Sequence, residues 1–232
     1  MSLTDKLVTI NENLPKIYEA GHKAGYADGY DDCFEEQTEN PFKYVVGLHK
    51  AFVQAVFPEN YNLVLSVPNF KGDLEDAFSQ SRNLKTIKLV CEDTSGTFKS
   101  AGSFYNCSTS EMIDLTEFKR KLYNGGNTFA NCYNLQEIKG ELDYSECASS
   151  SIAAFTNAWS LKEVRFRKES VKVSLSISST SVLSDMSVQS IIDGLADLTG
   201  GTAQTLSLHA TVKAKLTDEQ KAQVSSKNWD IV

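Results

Sequence analysis

The sequence predicts an α/β repeat solenoid with a parallel strand ladder, an amino-terminal helix and a carboxy-terminal cap of helices and strands. Phenylalanines recur at a nearly constant interval, and several positions around them recur with them. The phenylalanines are Phe52, Phe78, Phe104, Phe129 and Phe155, which follow one another after 26, 26, 25 and 26 residues. One recurring residue type is weak evidence, so the neighbouring positions decide whether this is a true repeat.

Four of those positions keep their character from copy to copy. The second residue after each phenylalanine is an amide (Gln54, Gln80, Asn106, Asn131, Asn157), and the third is small (Ala55, Ser81, Cys107, Cys132, Ala158). The ninth residues are Tyr61, Ile87, Ile113, Ile138 and Val164, and the eleventh are Leu63, Leu89, Leu115, Gly140 and Phe166. Side chains two apart on a strand share a face, so positions nine and eleven predict a short strand with one buried face. We expect the amides to satisfy backbone groups where the chain turns inward.

A single copy cannot bury its apolar face, so the copies must stack, with the five phenylalanines forming one buried column. The interval lies within the range of roughly 20–29 residues that is typical of leucine-rich repeats. We assign residues 40–177 to the stack. The first copy is the least regular, since Pro58 stands where later copies have Leu84, Leu135 and Leu161.

Four segments carry a resemblance to a known family: AFSQSRNLKTIKL (77–89), SFYNCSTSEMIDL (103–115), TFANCYNLQEIKG (128–140) and AFTNAWSLKEVRF (154–166). They resemble the BspA-like leucine-rich repeats of bacterial surface proteins. The opening NLPKIYEAGHKAGYADGY (13–30) and the segment from residue 191 onward look like a prophage-associated subgroup from gut bacteria. The resemblance implies a right-handed, leucine-rich-repeat-type stack that presents one face for recognition and carries no catalytic residues.

Residues 1–39 predict an oligomerisation helix, because apolar and small residues at 3, 7, 10, 14, 17, 21 and 24 follow heptad spacing, although Pro15 interrupts them. Three glycines spaced by four then suggest close approach of another helix, since glycine costs a helix about 1 kcal/mol. The candidate oligomerisation residues are Leu7, Ile10, Leu14, Ile17, Gly21, Gly25 and Gly29. Two arrangements remain open: packing on the chain's own stack, or a homo-oligomer, for which a trimer is expected before a dimer.

The region 178–232 is expected to cover the open end of the stack, which a solenoid requires. It follows a strand expected over 171–177. Apolar residues predict a helix closed by Gly200 and Gly201: Val188, Ile191, Ile192, Leu195 and Leu198. Leu206 and Leu208 suggest a strand, residues 217–220 a helix-opening capping box, and residues 229–232 a last strand.

Composition narrows the function classes. A net charge of −7 disfavours binding to nucleic acid. The sequence contains no run of 18 apolar residues, the length at which a membrane-spanning helix would be suspected. The first residues lack the apolar stretch of a secretory signal, so we expect synthesis in the cytoplasm, with the virion as a further location. Five cysteines without a CxxC pair favour reduced thiols over a disulfide framework.

No sequence motif predicts catalysis, a metal or a cofactor. Nucleophile-elbow, P-loop and dinucleotide-binding patterns are missing, and the three histidines stand in separate segments. Cys107 and Cys132 are expected to be small buried residues. A hydrolase assembled from distant copies is the remaining enzymatic alternative.

The exposed strand face is the candidate binding surface, formed by the positions that alternate with the buried ones. Its candidate residues are Lys88, Asp114, Lys139, Arg165 and Arg167. Such a mixed column is typical of a recognition surface, but any solvated strand face would also be polar. Together with this surface, the family resemblance implies a non-enzymatic prophage or phage-particle protein for attachment or assembly, with a protein or glycan ligand. The alternative is an intracellular scaffold or adaptor unrelated to phage.

Overall fold

The computed structural model describes residues 47–68, 70–91 and 96–232. The predicted helix over residues 1–39, with its oligomerisation residues, lies outside these ranges. Elements are numbered in chain order, and every strand pairing between them is parallel. The predicted parallel strand ladder is therefore confirmed.

The strands form two ladders and one short pair. The larger ladder runs through β1 (Val56–Ser66), β2 (Arg82–Val90), β4 (Met112–Glu117), β6 (Glu137–Leu142) and β8 (Glu163–Phe166), in that order. The second contains β7 (Ser151–Ile152), β9 (Ser174–Ile177), β10 (Gln204–Leu208) and β11 (Trp229–Ile231), while β3 (Thr97–Phe98) pairs with β5 (Lys121–Leu122). Three helices follow the larger ladder: α1 (Asp185–Gly194), α2 (Ala210–Lys213) and α3 (Asp218–Ser226). None of the helices in the described ranges is long and apolar enough to cross a membrane.

The five repeated phenylalanines form one continuous buried column, as predicted. Their ring centroids follow one another at 5.2, 5.5, 5.6 and 5.6 Å, with interplanar angles of 17° or less. Backbone hydrogen bonds hold the same spacing, for example from Phe78 N to Ser103 O at 2.8 Å. Ring stacking and backbone hydrogen bonding therefore both connect each copy to the next one.

The amide positions mark a left-handed turn in every copy. All five have a positive φ of 56–60°, a conformation in which asparagine is enriched among non-glycine residues. The expectation that their side chains bond backbone groups is wrong: the amides of Asn157 and Asn131 bond each other at 2.8 Å, and those of Gln54 and Gln80 at 3.4 Å. The backbone at the turn is satisfied by the next copy, as where Gln80 N donates to Tyr105 O.

The small position also joins neighbouring copies. Ser81 Oγ donates to Phe52 O at 2.6 Å, Cys107 Sγ to Phe78 O at 2.9 Å, and Cys132 Sγ to Phe104 O at 3.0 Å. Both thiols are buried, as predicted. In these three copies the small side chain is buried and bonds the carbonyl of the phenylalanine in the preceding copy.

In the first copy the register differs from the prediction: Leu63 is buried as predicted, whereas Tyr61 is only partly buried. Leu63 pairs with Ile87 and Leu65 with Leu89, so the core positions lie two residues later than expected. The cause is an irregular segment between Val56 and Tyr61, where β1 holds more residues than β2 opposite. Pro58 lies inside this segment.

A similar bulge occupies the fourth copy. Glu137 pairs with Glu163 and Leu142 with Phe166, so β6 holds two more residues than β8 between these pairs. Gly140 has a φ of +90°, and its Cα lies so close to β4 that a Cβ would stand 2.9 Å from the carbonyl carbon of Leu115. Leu142, and not Gly140, therefore supplies the core side chain opposite Phe166.

The carboxy-terminal region covers the edge of the larger ladder. Val164 N donates to Ser187 Oγ and Phe166 N to Ser190 Oγ, both at 3.0 Å, so hydroxyls of α1 satisfy the amides of β8. The helix comes this close through Gly194, where a Cβ would lie 2.6 Å from Phe166 Cβ. These contacts place α1 where a further strand would otherwise pair.

Several predicted boundaries in this region needed correction. The first helix ends at Gly194 with Leu195 as its C-cap, six residues before Gly200. The strand predicted over 171–177 begins at Ser174. The capping box at Thr217 and the strands β10 and β11 are confirmed. Because β10 pairs with β9, the second ladder continues from the repeats into this region.

Candidate functional site

The outer face of the larger ladder is the surface that the sequence marks for binding. Its central row runs in register from Val64 through Lys88 and Asp114 to Lys139. The opposite face of the same strands carries buried residues such as Ile87, which occupy the core. Alternation along each strand thus separates a charged, half-exposed row from the apolar interior.

Signs alternate along this row, and further carboxylates compensate its lysines. Lys88 Nζ bonds Glu117 Oε1, and this hydrogen bond, together with the charges of Glu117 and Asp114, raises the pKa of Lys88. Lys139 Nζ lies 4.0 Å from Glu137 Oε2. Of these two contacts only the Lys88–Glu117 contact joins two strands, β2 and β4, and a cross-strand pair of opposite charge contributes roughly 0.2–1 kcal/mol to the sheet.

The bulge in β6 separates Arg165 from this row. Arg165 pairs in register with Glu141 and not with Lys139, so the predicted continuous column is interrupted between β6 and β8. Arg165 is exposed, and in the described ranges it forms no ion pair within 4 Å. Among the four predicted cationic binding residues, Arg165 is therefore the one that lacks an ion pair within the described ranges.

Arg167 lies outside the predicted strand position. β8 ends at Phe166, and Arg167 Nη1 lies 3.3 Å from Oδ2 of Asp143, whose carboxylate is nearly buried. Asp143 Oδ1 also accepts a hydrogen bond from Ser145 N. Arg167 therefore neutralises a buried carboxylate at the end of the ladder.

Sequence reasoning missed one cluster of metal-ligating side chains. His49, Asp73 and Glu75 place their ligand atoms within 4.8 Å of one another, with His49 Nδ1 3.3 Å from Asp73 Oδ1. The residues come from two copies, so a search for local ligand spacing could not find them. Aligning the repeat copies could have found two of them, because His49 and Glu75 occupy the same repeat position, three residues before a column phenylalanine. The hydrogen-bond contact between His49 Nδ1 and Asp73 Oδ1 accounts for the proximity of these two residues without a metal.

The buried thiols do not have the environment of nucleophiles. Burial raises the pKa of Cys132 to about 12 and that of Cys107 well above its usual value. A catalytic cysteine needs the thiolate at neutral pH, which requires a lowered pKa. Both thiols instead act as hydrogen-bond donors between copies.

A comparison of the chain with models of protein families, with curated proteins and with solved structures finds no match. The family and the function are therefore matters for proposal, argued from the residues and their geometry.

Proposed function

We propose that this chain is a non-enzymatic binding protein of the leucine-rich-repeat solenoid type, similar to the BspA-like repeats, with a right-handed stack. Its outer strand face meets a protein or glycan ligand. The observation that carries the proposal is the row formed by Lys88, Asp114 and Lys139 on a parallel sheet. Parallel sheets usually have both faces covered by helices, whereas this face carries half-exposed charged side chains.

Arg165 gives this face a residue that a ligand can engage. The neighbouring lysines already have carboxylate partners, so a ligand would have to displace those contacts. Arg165 would bind an acceptor without breaking an existing ion pair. Planar guanidinium groups are enriched at interface hot spots for this reason among others.

Screening against arrays of glycans and of proteins, followed by charge reversal, tests the strand face. We expect Arg165→Glu to weaken binding of any ligand found by about tenfold or more, which corresponds to about 1.4 kcal/mol. Lys213→Glu is the matched control, because Lys213 is an exposed cation on α2, away from the ladder. Equal binding by both variants, or clean negatives on both arrays, would refute a ligand at this face.

The biological setting is proposed to be a prophage or a phage particle, including the virion, where the protein would serve attachment or assembly. Support comes from the resemblance of the repeats and of the flanking segments. Neighbouring genes test this setting: tail and baseplate genes are expected, and housekeeping genes would favour the alternative of an intracellular scaffold. Broad hydrolase profiling should be negative, and reproducible turnover would overturn the non-enzymatic proposal.

The heptad pattern supports a homo-oligomer held by residues 3–34, with a trimer expected first. A short helix divided by Pro15 is marginal alone in water, so another surface must cover its apolar residues. Sedimentation of the full chain and of a chain beginning near Phe42 decides between the arrangements. An oligomer that becomes monomeric on truncation is expected; two monomers would mean packing within one chain.

A further inference from the structure

An aromatic pair stands on the surface of the last two repeat copies, apart from the strand face. Tyr133 and Trp159 both occupy the fourth position after a column phenylalanine, and their ring centroids lie 4.9 Å apart with an interplanar angle of 35°. Trp159 is 56% exposed, whereas the other tryptophan, Trp229, is buried and donates its indole N–H to Ala196 O. The indole of Trp159 therefore offers a large apolar surface to solvent that the fold does not use.

The two turns that carry this pair are polar and uncharged. The turns that carry the two rings, residues 128–135 and 154–161, contain no acidic or basic residue. Two residues before each ring in the chain, Asn157 Nδ2 donates to Asn131 Oδ1 at 2.8 Å, which leaves further donor and acceptor capacity on both amides. The corresponding turn of the second copy, residues 77–84, has Arg82 at the aromatic position instead.

We propose that Tyr133 and Trp159 form a platform for a neutral carbohydrate, with the Asn131–Asn157 amide pair at its side. A pyranose ring has a face of C–H groups that can stack on aromatic rings and a rim of hydroxyls that can bond amides. The missing charge disfavours acidic glycans, which would call for arginine or lysine. A stable protein interface needs roughly 800 Å² per partner, far more than one ring pair supplies.

This inference rests on the proposed function only in taking the protein to bind a ligand. The platform uses the turns before β6 and β8, so its residues and those of the strand face can be tested separately. The two sites differ in chemistry as well: one offers uncompensated cationic charge at Arg165, the other neutral rings and amides.

The experiment is affinity electrophoresis of the full chain in native gels that contain a neutral polysaccharide: dextran, mannan, β-1,3-glucan, galactan or soluble chitin oligomers. We expect retardation in at least one gel. Trp159→Ala should lower the apparent affinity by about tenfold or more, and Trp159→Phe should retain most of it. The matched control is Tyr123→Ala, which removes another exposed aromatic ring, 44% exposed, outside these turns.

Each outcome bears on the proposal. No retardation in any gel, retardation that survives Trp159→Ala, or equal losses with Tyr123→Ala would overturn it. Trp159→Ala is checked for folding by circular dichroism. A fluorescence change on adding the retarding polysaccharide, absent in Trp159→Phe, gives a second reading that does not depend on the alanine variant. If Trp159→Ala abolishes retardation and Arg165→Glu does not, the polysaccharide binds at the platform and not at the strand face; the reverse result overturns the platform. The platform proposal is also overturned if Trp159→Ala loses binding to a protein partner while no polysaccharide retards the parent chain.

Discussion

Phe104 is the most informative position in the column for testing how the stack is held together. Its side chain is fully buried, and its ring lies parallel between Phe78 at 5.5 Å and Phe129 at 5.6 Å. Phe104→Ala would leave a ring-sized cavity between two other rings. The backbones of these two neighbours are held by hydrogen bonds between copies, from Phe78 N to Ser103 O at 2.8 Å and from Phe129 N to Ala154 O at 2.9 Å, so the cavity cannot easily collapse.

Burial of this kind places the cost of Phe104→Ala at the upper end of about 3–5 kcal/mol, the usual range for a buried phenylalanine. Phe52→Ala should cost less, because Phe52 is 6% exposed and stands at the end of the column. Urea unfolding followed by far-ultraviolet circular dichroism measures both, with Tyr123→Ala as a surface control expected within about 0.5 kcal/mol of the parent. A cost below about 1 kcal/mol for Phe104→Ala, or a larger cost for Phe52→Ala, would refute the column as the main support of the stack.

Three further predictions concern single contacts. Cys107 and Cys132 should react slowly with a thiol reagent until the chain unfolds. Because burial raises the pKa of both thiols above the ordinary 9.0, the unfolded chain loses these protons at lower pH than the folded chain does. The stability should therefore fall as the pH rises from 9 towards 12. Fast labelling of the native protein, or a stability that does not change over this pH range, would contradict the prediction. Gly140→Ala should destabilise by about 1–3 kcal/mol, since it forces a Cβ into a left-handed position beside β4; an unchanged unfolding midpoint would show that the bulge adapts. Ser187→Ala should cost about 1–3 kcal/mol because it strips Val164 N of its acceptor, and hydrogen exchange at that amide should accelerate.

The stacking could be predicted because it depends on a repeated local pattern. Phe78, Ser81 and Ile87 recur as residue types at fixed intervals, and each interval corresponds to one structural position. Register was harder to predict. Gly140 taken alone does not distinguish a degenerate core position from a bulge. The apolar Leu142, two residues later, was a usable signal for the bulge. The extra residues of a bulge change which side chains lie opposite each other on neighbouring strands. They leave the recognisable spacing of residue types within their own copy unchanged.

The candidate site was mispredicted in part because its residues depend on the same strand register. Arg165 was expected beside Lys139, but the bulge brings it beside Glu141 instead. The end of α1 was also misplaced: Gly200 matched a helix-ending signal, whereas the last helical residue is Gly194, which packs closely against Phe166. Such tertiary contacts are not encoded in the spacing of neighbouring residues.

The serine hydroxyls on α1 have a consequence for self-association. An exposed parallel edge strand can template the addition of a strand from another molecule and so start fibre-like polymers. With Val164 N and Phe166 N already bonded to Ser187 and Ser190, an incoming strand at β8 would have to displace the helix before it could pair. These two hydroxyl groups occupy the donors of the edge strand, so assembly of copies through their β8 edges is disfavoured.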